Sequence, residues 1–322
     1  MKKTGTLIQI IIGISIVIFI LYKLNINEVI SSLGKTDPFF FILAYISYFC
    51  LNLVLATRLR YLLGRIGYRI KFPTVFLSHM GGMIVGDITP GRSGYFLTPS
   101  ILKKNAGTRI TDGMACIFAP QAIEFILKVG GAVAAIFYIS KLSGINKDLL
   151  TSALLGIIFL LIVGIVMLII SWQNESVTIK FFRRLPFFNK FAENLSSFKE
   201  RSIQIKGSIN AILILYMIGW IFAGLQWFYI GKALGIPLSF FAFFLLHPLI
   251  TILMFVPVSP AGLGLMEAGG IGIFLLLKIA PESALAFFIL VRVNILLVDV
   301  IGLKTVVTAS KEMGMNYIRE IS

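Results

Sequence analysis

Again and again this chain of 322 residues runs for about 17 to 25 positions with almost nothing but apolar side chains, enough to cross a hydrocarbon core of roughly 30 Å at 1.5 Å per helical residue. In lipid no water satisfies a free peptide group, so continuous apolar runs of this length are restricted to membrane-crossing helices. Composition points the same way. The chain is 58% hydrophobic and 13% charged, about half the roughly 25% charge of a soluble domain, which excludes a water-soluble fold.

Six runs are expected to span: Thr6 to Tyr22, Pro38 to Thr57, Thr111 to Ile139, Leu149 to Ser171, Ser208 to Ile230 and Ser283 to Ala309. Two further apolar stretches, Pro73 to Asn105 and Ser239 to Ile279, are broken near the middle by proline and glycine. Each is predicted to enter and leave on one face as a re-entrant pair of half-helices. Eight full spans would leave Leu265 to Lys278 at about 21 Å and would need a cytoplasmic turn, Pro257 to Gly264, without Lys or Arg. The expected fold is therefore all-α, a polytopic membrane helix bundle of six spanning helices and two broken re-entrant segments.

Nineteen Lys and Arg residues fall in the loops of one side, among them Lys2, Arg58, Arg65, Lys103, Arg183 and Lys311, against six on the other. The positive-inside bias then sets both termini in the cytoplasm of a cell-membrane protein. It also accounts for the net charge of +15, so anionic headgroups on the cytoplasmic face, rather than nucleic acid, are the expected partners. Met1-Lys2-Lys3 imitates a secretory signal, but no small-x-small cleavage site follows, and an uncleaved first helix is expected. Cys50 and Cys116 have no Cys or His at ligand spacing, so neither a zinc site nor a disulfide framework is expected, and no cofactor or other metal is expected either.

Shifting the sequence by 170 positions lays Thr89-Pro90-Gly91-Arg92-Ser93-Gly94 on Ser259-Pro260-Ala261-Gly262-Leu263-Gly264 and superposes the flanking apolar runs. Two repeats are thus expected. Residues 1–148 hold helices 6–22 and 38–57, the re-entrant segment 73–105 and helix 111–139; residues 149–322 hold helix 149–171, a cytoplasmic loop 172–207, helix 208–230, the re-entrant segment 239–279 and helix 283–309. Three crossings per half make the second copy inverted, the plan of many secondary transporters whose broken helices meet near the midplane.

Ionisable groups at that depth are expensive and read as functional. Arg92 combines a phosphate-matching guanidinium fork with the N–H groups of Gly91 and Gly94, while Gly262 and Gly264 allow close backbone approach at the second break. Half-helices starting after Gly91 or Gly262 would aim free N–H groups at an anion. Glu267 follows the second break, and Arg292 and Asp299 share a face of the last helix; Arg92, Glu267 and Arg292 are expected to form one lipid- or phosphate-binding site. Asp87, Asp299 and the i,i+4 pair Glu124 and Lys128 are candidates for ion pairs or a proton relay. His79 and His247 read as packed core residues. From Thr178 to Lys206, phenylalanines alternate with basic residues around Pro186, an amphipathic stretch expected to lie on the cytoplasmic leaflet.

Arg58-Leu59-Arg60-Tyr61-Leu62-Leu63, the Thr89–Gly94 turn and Pro260-Ala261-Gly262-Leu263-Gly264-Leu265-Met266-Glu267 together resemble the flippase-like family typified by the transmembrane region of lysylphosphatidylglycerol synthase. The resemblance implies translocation of an anionic or modified phospholipid, or of a polyprenyl-phosphate-linked lipid, between leaflets. Where members of that family often carry an acidic residue and an Arg, this chain has Tyr95 and Gln121. The family's aminoacyl transfer lies in a separate soluble domain, and no such domain or nucleophile–base pair is found here, so an enzyme is not expected. A membrane enzyme subunit and a non-transporting scaffold docking through Thr178 to Lys206 are the rival readings.

Overall fold

A computed structural model describes residues 3–143, 147–173 and 195–309. Among these residues it is all helical. The helices are α1 (Lys3–Lys23), α2 (Ile26–Gly34), α3 (Pro38–Arg65), α4 (Phe72–Asp87), α5 (Thr98–Ala106), α6 (Ile110–Ser143), α7 (Lys147–Trp172), α8 (Leu195–Lys206), α9 (Ile209–Ala233), α10 (Phe240–Thr251), α11 (Leu265–Leu276) and α12 (Pro281–Asp299). A short 3-10 turn, Val300–Gly302, follows α12, and helical backbone resumes to residue 309.

Local chemistry sets the starts. Asp37 accepts a hydrogen bond from Phe39 N–H at 2.8 Å, with Pro38 as first residue of α3. Ser239 caps α10 through Ala242 N–H at 3.2 Å. Among the described residues, five helices are long and apolar enough to cross a membrane: α3, α6, α7, α9 and α12 with its continuation. A sixth span arises only if α1 and α2 count as one, and these two meet at 93°. The expected first span, Thr6 to Tyr22, is therefore followed by a second helix, Ile26–Gly34, that is not among the expected spans. Asn25 starts it by accepting from Asn27 N–H at 3.2 Å, and Val29 is buried where α2 packs on α12.

Both broken stretches are pairs of short helices. The first runs α4, a turn, a 3-10 segment Ser93–Leu97 and α5; the second runs α10, a 3-10 segment Ile252–Phe255, a turn and α11. At the centre α3 packs along α9, with α12 against both. Each broken segment then leans on the far half of the sequence, α4 on α12 and α10 on α6. Behind the second break, Trp227, Phe243, Phe274, Phe287 and Phe288 are fully buried and pack ring against ring, with centroids 5.1 to 6.3 Å apart among the linked pairs. Leu155, Ile158, Ile162 and Ile165 of α7 remain exposed, as a lipid-facing surface requires.

The stretch expected on the cytoplasmic leaflet, Thr178 to Lys206, differs from expectation where it is described. Residues 178–194 lie outside the described part. Over α8 the apolar face is turned into protein: Phe198 and Ile205 are buried in a cluster with Leu59 and Leu62 of α3. Arg201 of α8 lies 3.5 Å from Asp112 of α6, and Trp172 Nε1 donates to the Ser202 carbonyl at 3.1 Å.

Candidate functional site

The two breaks meet. Pro90 and Pro260, 170 positions apart, form an isolated antiparallel bridge, and Ala261 N–H donates to the Thr89 carbonyl at 3.0 Å. Each break makes the same turn. Backbone φ is positive at Gly91 (59°) and Arg92 (54°), and again at Ala261 (41°) and Gly262 (66°). Ser93 N–H donates to Pro90 O at 3.2 Å and Leu263 N–H to Pro260 O at 2.8 Å, completing the hallmarks of type I′ turns. Such turns favour glycine at both central positions, yet Arg92 and Ala261 occupy one position each. Backbone packs tightly here: a Cβ on Gly262 would stand 2.7 Å from the Leu253 carbonyl oxygen.

Each turn is held by its own ion pair. At the first, Arg92 Nη2 lies 2.6 Å from Asp87 Oδ1 and 3.8 Å from Asp299 Oδ2, and the Tyr48 hydroxyl donates to Asp299 Oδ2 at 3.1 Å. At the second, Arg292 pairs with Glu267 and faces the Ala261 carbonyl at 3.4 Å, while Glu267 Oε2 accepts from Gly264 N–H at 2.7 Å. The three residues grouped by the sequence thus separate: Glu267 and Arg292 join, and Arg92 stands with Asp87 and Asp299. The last helix serves both turns, because Arg292 and Asp299 are seven residues apart on one face.

The anion expected at a half-helix start is at the second break a carboxylate of the chain itself. Glu267 takes the Gly264 N–H, the position a ligand would need. Neither half-helix begins directly after Gly91 or Gly262: α5 starts at Thr98 behind the 3-10 segment, and α11 at Leu265. Gly94 N–H is likewise taken internally, by Thr89 Oγ1 at 2.7 Å.

Between α3, α4, α6, α9, α10, α12 and the first turn lies a cavity of about 130 Å³, roughly ten times what one water needs. Leu51, Leu55, Phe125 and Trp220 line its apolar part. Its polar part holds Arg92 and the Glu124–Lys128 pair, 3.5 Å apart, with Lys128 Nζ 4.7 Å from the centre of the Phe255 ring and 3.4 Å from Thr251 Oγ1. Arg58, 4% exposed, also lines it and leaves Nη1 without a hydrogen-bond partner; Gln121 Nε2 is unpartnered too. His79 is satisfied on both sides, by Tyr95 Oη at 3.0 Å and Asn52 Oδ1 at 3.1 Å, whereas His247 Nδ1 has no partner.

Arg58 is the residue that sequence reasoning missed. It was counted with the cytoplasmic loop because the apolar run ends at Thr57, but α3 continues to Arg65 and buries it. The usable signal was periodic: Tyr48, Asn52, Leu55 and Arg58 fall on one helical face of an otherwise apolar span. Both positions that depart from the resemblance, Tyr95 and Gln121, line the same cavity.

A family model described as the lysylphosphatidylglycerol synthase TM region matches residues 6–302. Among curated proteins, a UPF0104 membrane protein of Methanocaldococcus jannaschii is 24% identical over 210 residues, 65% of this chain and 87% of the relative. Another from the same organism is 28% identical over 93 residues, 29% of this chain and 28% of the relative. A UPF0104 membrane protein of Methanothermobacter thermautotrophicus is 22% identical over 228 residues, 65% of this chain and 66% of the relative.

Proposed function

The chain belongs to the lysylphosphatidylglycerol synthase transmembrane-region family, and from that premise we propose that this multi-pass membrane protein is a translocase carrying a phosphate-bearing anionic lipid between leaflets through the cavity beside the two breaks. The observation that carries the reading is the pair of buried, unpartnered donors, Arg58 Nη1 and Gln121 Nε2. They sit in a wall that also presents Arg92 and Lys128 against a single carboxylate, Glu124. An unsatisfied buried donor costs about 1–3 kcal/mol, and more when charged, so an entering phosphate oxygen recovers free energy the empty cavity forgoes. Guanidinium suits the task because its planar fork matches phosphate. The apolar part of the cavity offers a path for the start of an acyl or polyprenyl chain.

In this reading Arg58 and Gln121 hold the headgroup, Arg92 reaches it from the first turn, and Lys128 balances charge from α6. Glu267 and Arg292 act indirectly, keeping the second turn in shape. Residues 1–148 and 149–322 serve as inverted repeats, with both termini in the cytoplasm of the cell membrane; the matching turns and their mutual bridge support this arrangement.

The test is leaflet exchange in proteoliposomes carrying labelled phosphatidylglycerol, phosphatidylcholine or polyprenyl phosphate. The wild-type chain should exchange one of the two anionic lipids faster than the zwitterionic one. Arg58→Ala should lower that rate more than about tenfold, equivalent to ~1.4 kcal/mol, with Arg58→Lys intermediate. Unchanged exchange by Arg58→Ala, at an unchanged melting temperature, would remove the cavity from the mechanism.

A further inference from the structure

The cavity leaves donors unpartnered, whereas the first turn leaves acceptors. Asp87 Oδ2 and Asp299 Oδ1 are buried and make no hydrogen bond, and the two side chains are 6% and 0% exposed. Their other oxygens converge on one guanidinium nitrogen, Arg92 Nη2. Two carboxylates thus share one positive charge, and a hydroxyl, that of Tyr48, is the only further donor hydrogen-bonded to either of them among the described residues. A buried site with one negative charge in excess calls for one more positive charge, and a carboxylate pair of this kind holds a proton.

We infer that Asp87 and Asp299 together form an exchangeable proton site and that Arg92 links its occupancy to the cavity. Arg92 belongs to both places: it lines the cavity and pairs with the acids. An anionic headgroup entering the cavity competes for the guanidinium. As Arg92 turns toward it, the acid pair loses its counter-charge and takes a second proton from hydronium in the aqueous phase; an O–H bond forms on a free carboxylate oxygen of the acid still ionised and a water molecule is released. When the headgroup leaves, Arg92 returns and the proton goes back to water, so anion and proton travel together.

The other charged or titratable groups around the acids are accounted for. From α3 come Tyr48, a donor to Asp299, and Arg58, a buried cation that lines the cavity and makes no ion pair with either acid among the described residues; on α4, His79 is engaged by Asn52 and Tyr95. On α12, Arg292 is paired with Glu267; across the cavity, Glu124 and Lys128 of α6 pair with each other. None of these supplies the missing charge.

The proton site rests on the acids alone, while its coupling rests on the translocase reading, and two measurements on the purified full-length protein separate them. Infrared spectroscopy between pH 5 and 9 should show a protonated-carboxylic-acid band that Asp299→Asn and Asp87→Asn each weaken. If neither substitution alters that band, the site is overturned whatever the cavity binds. Adding short-chain phosphatidic acid in weak buffer should then cause proton uptake by the wild type, and the number of protons taken up per molecule bound should fall toward zero when Asp87→Asn and Asp299→Asn are combined. Binding without proton uptake in the wild type overturns the coupling. Absence of binding counts against the cavity reading and the coupling, with the infrared result still deciding the acid pair. Lipid exchange that follows a sodium gradient and ignores a pH gradient would overturn the proton as the coupled ion.

Discussion

Arg92 and Ala261 hold positive φ although neither is glycine, while Gly91 and Gly262 occupy the other central position of each turn. A non-glycine residue in that region costs about 1–2 kcal/mol, so both turns carry strain that their surroundings must offset. Arg92 is compensated by two carboxylates, and the Ala261 carbonyl faces Arg292. Gly262 has no such slack, since an added Cβ would meet Leu253 and Met254 backbone at 2.7 Å. We expect Gly262→Ala to lower stability by about 2 kcal/mol or more, read as a fall in melting temperature in detergent, and Ala261→Gly to be near neutral because relief of strain offsets the lost methyl. Arg292→Ala strands the buried Glu267 carboxylate and should cost about 3–5 kcal/mol, so that the variant fails to accumulate. Addition of Glu267→Gln to Arg292→Ala should restore part of the yield, and no rescue would show that Arg292 holds the fold through other contacts.

Among the elements, α8 shows how an amphipathic pattern can mislead. Its alternation of apolar and basic residues suits a headgroup layer as well as a protein groove, and periodicity reports only that one face is apolar, not what covers it. In the structure Phe198 and Ile205 face the protein, and Arg201 reaches Asp112, whose other oxygen accepts from the Tyr68 hydroxyl at 2.7 Å. Tyr68 lies in the loop before α4, where burial raises its phenol above the ordinary value. The neutral phenol is the donor, so its contribution is complete below the ordinary tyrosine pKa of about 10 and is lost only as pH rises through the raised folded value. Tyr68→Phe should cost about 1 kcal/mol at neutral pH and flatten the fall in stability at alkaline pH; a melting curve measured against pH, with an unchanged alkaline limb in the variant, would refute that role. The bend between α1 and α2 was illegible for a related reason: Asn25 is a good cap, but a capped helix of nine residues inside a presumed loop carries little apolar signal of its own.

For the molecule as a whole, span-length apolar runs and paired Pro-Gly breaks made the helical membrane fold readable, because lipid leaves the backbone few alternatives. That the two breaks would face each other or a cavity was readable as well, from irregular backbone that lipid cannot solvate, and the Pro90–Pro260 bridge sets them against each other. Which charges would pair was not. Pairing depends on side-chain reach across helices: Asp299 comes to Arg92 because α12 packs on α4, a contact between residues more than two hundred positions apart. Arg58 was hidden because a helix end cannot be located from hydropathy when polar residues line its buried face. A large-scale test follows from the bridge. In a background lacking Cys50 and Cys116, cysteines replacing Pro90 and Pro260 should oxidise to a disulfide, since antiparallel partners stand about 4.5–5.5 Å apart at Cα. If the two turns part during lipid exchange, oxidation should stop it and reductant restore it; exchange that continues in the oxidised protein means that the turns stay together throughout. Proline itself makes such parting cheap. Having no N–H, Pro90 and Pro260 cannot donate to each other, and the tight turns on their heels keep the pairing from spreading, so the seam resembles a press-stud more than a zipper. Its direct bond runs from Ala261 to Thr89; opened against lipid it would cost several kcal/mol, but where cavity water receives the freed groups the net cost falls to about 1 kcal/mol, so a wet clasp can open and re-fasten without any outlay of fuel.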